Sequence, residues 1–253
     1  MLKAIFLDFD KTLQDLDAAF DKAVGQVLHS AAQELGMEVS ALVTILHQTW
    51  EEVWPHFLDG TLSEADLHNQ WFLQAMKRAG SVWEDEKVLE MVKLYQVAFE
   101  SHLEVFSDVY PALDSMAKHW PEARIAILTN GPTLRQKQRI VDRGIGAYTT
   151  EWVISEEIGV AKPDPKFFRH ALRTLDVLPD EAVMIGDAPF ADIAGAKGLD
   201  IPTIWLNRKG LAWPEELPAP DAIATNLLEV VDILRTWSNL DGRNPDPVGL
   251  PAL

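Results

Sequence analysis

The 253-residue chain contains no cysteine. Disulfides, thiolate metal sites and cysteine nucleophiles are therefore excluded. Any metal must be held by oxygen or imidazole, and oxygen ligands suit Mg²⁺ or another hard cation. Positive charge is scarce, with 22 Lys+Arg against 39 Asp+Glu and a net charge of −17. Nucleic acid or an anionic membrane would need a basic face, so neither is expected as a partner. Long apolar runs are absent too. No window approaches the ~18 residues of a membrane span. The run Ala4-Ile5-Phe6-Leu7 meets Asp8 and is too short for a signal peptide. A cytoplasmic protein is the expectation, and monomer and homodimer are both compatible with it. What is present is ordinary for a folded chain: 47% hydrophobic and 24% charged residues, in a length that fits one to two domains.

Short apolar runs alternate with helical patterns. Ala4–Leu7, Arg124–Leu128 ending at Thr129, Ala182–Ile185 ending at Gly186-Asp187, and Pro202–Leu206 ending at Asn207 read as buried strands. Trp152-Val153-Ile154 is a weaker one. Helices are predicted over Leu134–Val141, from Asp164 as N-cap with Pro165 at the first helical position, and from Phe190 through Ala194. This alternation predicts a doubly wound α/β core with a parallel, Rossmann-like sheet.

Residues 16–103 break the alternation. Four apolar sets at helical spacing follow one another: Phe20 to Leu35, Leu42 to Trp54, Leu67 to Met76 after Ser63 as N-cap, and Val88 to Leu103. They predict a helical insert between segments 1–15 and 104–237 of the core. Residues 14–105 hold 5 Lys+Arg and 16 Asp+Glu, a net of −11, so the insert carries most of the negative charge, read as a solvated outer face. The nine Trp are read mainly as packing, although Trp50, Trp54 and Trp71 are also suited to stacking on a base. Residues 238–253, rich in Pro and Gly, predict an irregular tail.

The polar clusters fall at the C-terminal ends of the predicted strands, the edge where open α/β sheets bind ligands. Asp8-x-Asp10-x-Thr12 places two carboxylates directly after a strand, a costly arrangement that a divalent cation relieves. Thr129-Asn130-Gly131 leads into a helix N-terminus, where anions are favoured. Lys162 is fixed by the stiff Pro163-Asp164-Pro165 that follows it. Gly186-Asp187 and Asp192 complete the set. Each cluster alone is common on protein surfaces, but all four in this order point to one shared site.

On these residues the chain resembles the haloacid dehalogenase superfamily, most of whose members are phosphatases. Asp8-x-Asp10-x-Thr12, Thr129, Lys162 and Gly186-Asp187 with Asp192 match its four motifs in order. The insert stands where the family's C1-type helical cap is found. Thr129-Asn130-Gly131, Val153–Pro163 and Trp205-Leu206-Asn207 look closest to the branch of pyrimidine 5′-nucleotidases and the N-acylneuraminate-9-phosphatase. The resemblance implies a Mg²⁺-dependent hydrolase of a small phosphorylated substrate, a nucleotide or sugar phosphate. In it Asp8 is the nucleophile that forms an aspartyl-phosphate, and Asp10 is the general acid and base. Thr129, the amide of Asn130 and Lys162 hold the phosphoryl group. Asp8, the main-chain carbonyl of Asp10, Asp187 and Asp192 serve the metal.

Three positions depart from the pattern. Lys11 stands where Gly is commonest, Ala188 where a hydroxyl or acid is usual, and Leu16 where Ser is common. The rival readings are a 2-haloacid dehalogenase of the same fold, whose members lack the second aspartate, a phosphomutase, and a non-catalytic phosphate-binding module.

Overall fold

A computed structural model describes residues 1–239, which form two compact units: Met1–Gln14 with the chain from Val105 onward, and Asp15–Glu104. The first unit begins with β1 (Ala4–Leu7), buried at all four positions. Ala4 and Phe6 join the core on one face of the sheet, and Ile5 and Leu7 join that on the other. This period-two division is what a strand covered on both faces requires.

The second unit is all helical: α1 (Leu16–Leu35), α2 (Val39–Leu58), α3 (Glu64–Arg78) and α4 (Asp85–His102). Its ends follow local chemistry. Asp15 accepts from the Ala18 amide at 3.0 Å and starts α1. Gly36 ends α1 with φ 65°, a left-handed conformation in which a Cβ would be strained. Ser63 caps α3 by accepting from the Asp66 amide and donating to the Asp66 carboxylate at 2.7 Å. The apolar stripes meet in one core containing Leu28, Leu42, Leu46, Trp71, Phe72, Val92 and Tyr95. Trp71 is packing, its indole N–H donating to the Leu46 carbonyl at 2.7 Å. Trp50 and Trp54 are half-buried and stacked, with ring centroids 5.1 Å apart.

The first unit continues through α5 (Val109–His119), β2 (Arg124–Thr129), α6 (Thr133–Asp142), β3 (Glu151–Ile154), α7 (Ser155–Ile158), α8 (Pro165–Thr174) and β4 (Ala182–Gly186). A π-helical turn (Pro189–Ala194), α9 (Gly195–Lys197), β5 (Thr203–Leu206), β6 (Ala222–Ala224) and α10 (Leu227–Asn239) complete it. The six strands are parallel in the order β3-β2-β1-β4-β5-β6. Residues of α5 and α10 pack with Ile5 and Leu7, while Phe167, Phe168 and Ala171 of α8 pack with Ala4 and Phe6. The doubly wound α/β core is as expected.

The structure adds elements and corrects others. β6, α5 and α10 were not anticipated; β6 is three residues long, with Ile223 partly exposed. α10 extends into the expected tail, where Ser238 accepts from the Trp120 indole N–H at 3.0 Å. The rest of that tail, 240–253, lies outside the described residues. The turn after Pro189 is π-helical and leaves Phe190 exposed. α6 is also oriented against its apolar pattern: Leu134 and Val141 are 78% and 59% exposed, while Gln136 and Arg139 are buried with Ile140.

Candidate active site

The sheet brings the motif residues together. β1 has β2 on one side and β4 on the other, so the strand order changes direction beside it, which is where a parallel sheet opens a crevice at its C-terminal edge. Leu7 pairs with both Ile127 and Ile185, and the residues that follow those strands converge. The Asp8 amide donates to the Ile185 carbonyl at 2.9 Å, carrying the pairing one residue into the site.

Lys162 is the centre of the cluster. Its ammonium donates to Asp8 Oδ1 at 2.7 Å, the Leu128 carbonyl at 2.7 Å and Asp192 Oδ1 at 2.6 Å. Three protons meet three acceptors, so the side chain has one orientation. Its backbone is clamped by Asn130. The Asn130 amide donates to the Lys162 carbonyl at 2.8 Å, and its oxygen accepts from the Lys162 N–H at 2.8 Å. The side chain of Asn130 is thus committed to Lys162.

The turn after β1 aims Asp10 and Thr12. Lys11 has φ 64°, the left-handed region that Gly adopts without strain, which explains why Gly suits this position. Asp10 accepts from Gln14 at 2.5 Å and from Gln136 at 2.7 Å, with the Arg139 guanidinium 3.7 Å away. Buried Thr12 accepts from the Asp187 amide at 3.1 Å. Arg208 donates to the Thr12 carbonyl at 2.9 Å, pairs with Asp108 at 3.0 Å and lies over the Phe106 ring. The Trp205 indole donates to the Asp187 carbonyl at 2.9 Å and fixes the second acidic loop.

Asp8, Asp187 and Asp192 each offer a carboxylate oxygen within 4.8 Å of the others. With Lys162 charged, three ionised carboxylates would leave two negative charges uncompensated, a deficit that a divalent cation matches. Asp8 Oδ2 is buried without a hydrogen-bond partner, so a ligand position is open there. Asp192 differs: its Oδ1 is taken by Lys162, and its Oδ2 accepts from the Ala188 amide at 3.0 Å. Its first task is therefore to hold Lys162 and the β4 loop. The link to residue 188 is through the main chain, so Ala188 keeps it. Gly186 is required beside it, because a Cβ there would lie 2.2 Å from Asp192 Oδ2. The Asp10 carboxylate is outside this acidic group.

The electrostatics follow from burial. Desolvation pushes the Asp8 carboxyl up to about 7, against the pull of Lys162 and with a further push from Asp192. Asp187 is raised well above the usual carboxylate range by burial and then by the charges of Asp8 and Asp192, partly offset by Lys11 and Lys162. Burial alone would lower the Lys162 ammonium, but the fields of Asp192 and Asp8 overcome it and hold Lys162 above the ordinary lysine value.

A pH dependence follows. Asp8 titrates near 3.8 when unfolded and near 7 when folded, so the folded metal-free protein binds the extra proton. Its stabilising contribution is full below 3.8 and is lost as pH rises through about 7. A divalent cation needs the ionised carboxylate, so the Tm gain from added Mg²⁺ should be larger near about pH 8 than near about pH 6. Thermal melts with and without Mg²⁺ check this, and equal gains at both pH values count against a cation at Asp8 and Asp187.

Several residues of the site were not read from the sequence: Gln14, Gln136, Arg139, Trp205 and Arg208. Gln136, Arg139 and Ile140 share a helical face at i, i+3, i+4, but that spacing alone does not say which face is buried.

A parallel doubly wound sheet with carboxylates and one buried lysine gathered at its switch point defines an α/β enzyme core. Residues 2–200 match the haloacid dehalogenase-like hydrolases, and the chain belongs to that family. It is 29% identical over 238 residues to a glyceraldehyde 3-phosphate phosphatase of Methanopyrus kandleri, covering 93% of this chain and 98% of that one. It is 28% identical over 237 residues to pyrimidine 5′-nucleotidase YjjG of Escherichia coli, covering 91% and 96%. To N-acylneuraminate-9-phosphatase of Homo sapiens it is 24% identical, covering 93% and 94%. The expected family resemblance is borne out. Among solved structures, a 2-haloacid dehalogenase of Pseudomonas syringae superposes with TM-score 0.64 at 28% identity, covering 94% of this chain and 100% of that one. The HAD-hydrolase YfnB of Bacillus subtilis, bound to magnesium, shares the fold with TM-score 0.73 at 20% identity, covering 92% and 98%. Among the described residues no helix is long and apolar enough to cross a membrane.

Proposed function

We propose that the protein is a Mg²⁺-dependent phosphomonoesterase acting in the cytoplasm on a small phosphorylated metabolite, a nucleotide or a sugar phosphate, through an aspartyl-phosphate. One observation carries the reading. Asp8 Oδ2 and Thr129 Oγ1, at the ends of neighbouring strands, are both buried and both lack a partner. Each such atom costs about 1–3 kcal/mol, so the pair is best explained by ligands that satisfy it.

Asp8, Asp187 and the Asp10 main-chain carbonyl would hold the cation, with Asp192 behind them; when bound, it would neutralise negative charge where phosphate meets carboxylate. The chain's own groups do the rest. An ionised Asp8 oxygen attacks phosphorus while the ester P–O bond breaks. Protonated Asp10 gives its proton to the leaving oxygen, then takes one from the water that cleaves the aspartyl-phosphate. Lys162, Thr129 and the Asn130 amide stabilise the equatorial phosphoryl oxygens as charge spreads onto them. In this reading residues 16–103 are the cap and select the organic part of the ester.

The 28% identical dehalogenase neighbour makes halide displacement the second reading. Asp10 disfavours it: halide leaves without a proton, yet the carboxylate of Asp10 is held from both of its oxygens by two glutamines. Asp10→Asn should therefore lower turnover of alkyl phosphates by roughly 10²–10⁴-fold without creating dehalogenase activity, as steady-state assays of both reactions would show. The wider test is phosphate release from a panel of nucleotides, sugar phosphates and phosphoglycolate. Release with Mg²⁺ and none with EDTA is expected. Silence across the panel, or release indifferent to EDTA, would overturn the proposal.

A further inference from the structure

We infer that Gln136, assisted by Gln14 and Arg139, is a positioning residue that aims the Asp10 carboxyl for proton transfer; this deepens the phosphatase reading above and rests on it. The argument starts from the orientation of α6. A helix in this position would ordinarily bury its apolar residues. Instead Leu134 and Val141 lie in solvent, and Gln136 and Arg139 are 1% and 6% exposed. Burying an amide and a guanidinium is unfavourable unless they meet partners.

Asp10 is a shared partner. Gln136 Nε2 donates to Oδ2 at 2.7 Å, Gln14 Nε2 donates to Oδ1 at 2.5 Å, and Arg139 stands 3.7 Å from Oδ1. The carboxylate is therefore gripped at both oxygens, from the turn after β1 and from α6. Gly131 makes the approach of Gln136 possible, because a Cβ there would lie 2.5 Å from its Nε2 and 3.1 Å from its Cγ. The other half of the amide gains nothing: Gln136 Oε1 is buried with no donor. A methionine would fill the same volume without that orphaned oxygen, so stability alone does not account for glutamine here.

Proton transfer does account for it. The acid must lie within hydrogen-bond reach of the leaving oxygen, and small misplacements are expensive in rate. Asp10 sits on the turn after β1, beside the left-handed Lys11, and its carboxylate is held by Gln14 and Gln136. A neutral amide suits both halves of the cycle, since a carboxylic acid keeps an oxygen that accepts from it. Gln136 can hold Asp10 whether or not the proton is in place.

The test exploits the leaving group. An alkoxide needs the proton, whereas 4-nitrophenolate leaves without one. The measured quantity is kcat/KM, which reports steps only up to the first phosphoryl transfer. Gln136→Met should lower kcat/KM for an alkyl phosphate by about 10- to 100-fold and for 4-nitrophenyl phosphate by no more than about 3-fold, with Tm held or raised. Gly131→Ala, whose Cβ displaces only the flexible end of Gln136, should act in the same direction more weakly, and it keeps the test usable if Gln136→Met is insoluble. In an Asp10→Asn background Gln136→Met should add nothing. Equal losses on the two substrates, or losses that add to those of Asp10→Asn, overturn the inference. If Asp10→Asn itself shows no leaving-group dependence, the proposed role of Asp10 fails and the inference with it. A dependence present in Asp10→Asn and absent from both other variants overturns the inference alone.

Discussion

Asp8→Asn should reduce phosphate release by roughly 10³–10⁶-fold, the scale of losing a nucleophile. The amide oxygen is a poor nucleophile, and two nearby carboxylates are not free to replace it. Asp192 is engaged at both oxygens, and Asp10 is held apart by its glutamines. The same substitution should not destabilise the metal-free protein near about pH 8. Asp8 is raised to about 7 chiefly by burial, so ionising it works against folding, and a neutral amide removes that penalty. The expected pattern is lost turnover, an unchanged or higher metal-free Tm, and a smaller Tm gain with Mg²⁺. Activity close to that of the unaltered protein would place the nucleophile elsewhere. A falling metal-free Tm would show that the Asp8–Lys162 pair stabilises the fold more than burial opposes it.

Lys162→Met should lose both chemistry and stability. From the sequence, Lys162 is expected only as a cation that holds the phosphoryl group. The structure alters that expectation, because the ammonium is 3% exposed and ties together Asp8, Asp192 and the β2 carbonyl. Its removal leaves buried carboxylates without a cation, which typically costs about 3–5 kcal/mol when one member of a buried pair is lost. In a chain of this size that is a Tm fall on the order of 10 °C. Turnover should fall by about 10²–10³-fold, as when one stabilising donor leaves a transition state. Added Mg²⁺ should restore part of the Tm, since a cation among the same carboxylates offsets the missing charge, but not the rate. A variant with a lowered Tm and unaltered kinetics would make Lys162 purely structural.

Much of the core was readable because its signals are local. An all-buried strand is a continuous apolar run, so Ala4–Leu7 and Ala182–Ile185 stood out. Asp164-Pro165 announced the start of α8, where Asp164 does accept from the Lys166 amide. Elements with weak local signals escaped: β6 owes its place to pairing with β5, a contact made across the fold. α6 shows the limit most clearly. Its helical period was legible, but which face points inward was set by Asp10, more than a hundred residues earlier in the chain.

The sequence by itself determined the alternation of strand and helix, the helical insert and the order of Asp8, Asp10, Thr129, Lys162 and Asp187, because strand burial, capping and motif spacing are properties of neighbouring residues. Only the tertiary structure decided what each side chain is for. It turned Asp192 and the Asn130 side chain toward Lys162, buried Gln136 against Asp10, and left Asp8 Oδ2 and Thr129 Oγ1 without partners. Those outcomes depend on hydrogen bonds and charge fields between residues far apart in the chain, and their strength is set by burial that no local pattern encodes.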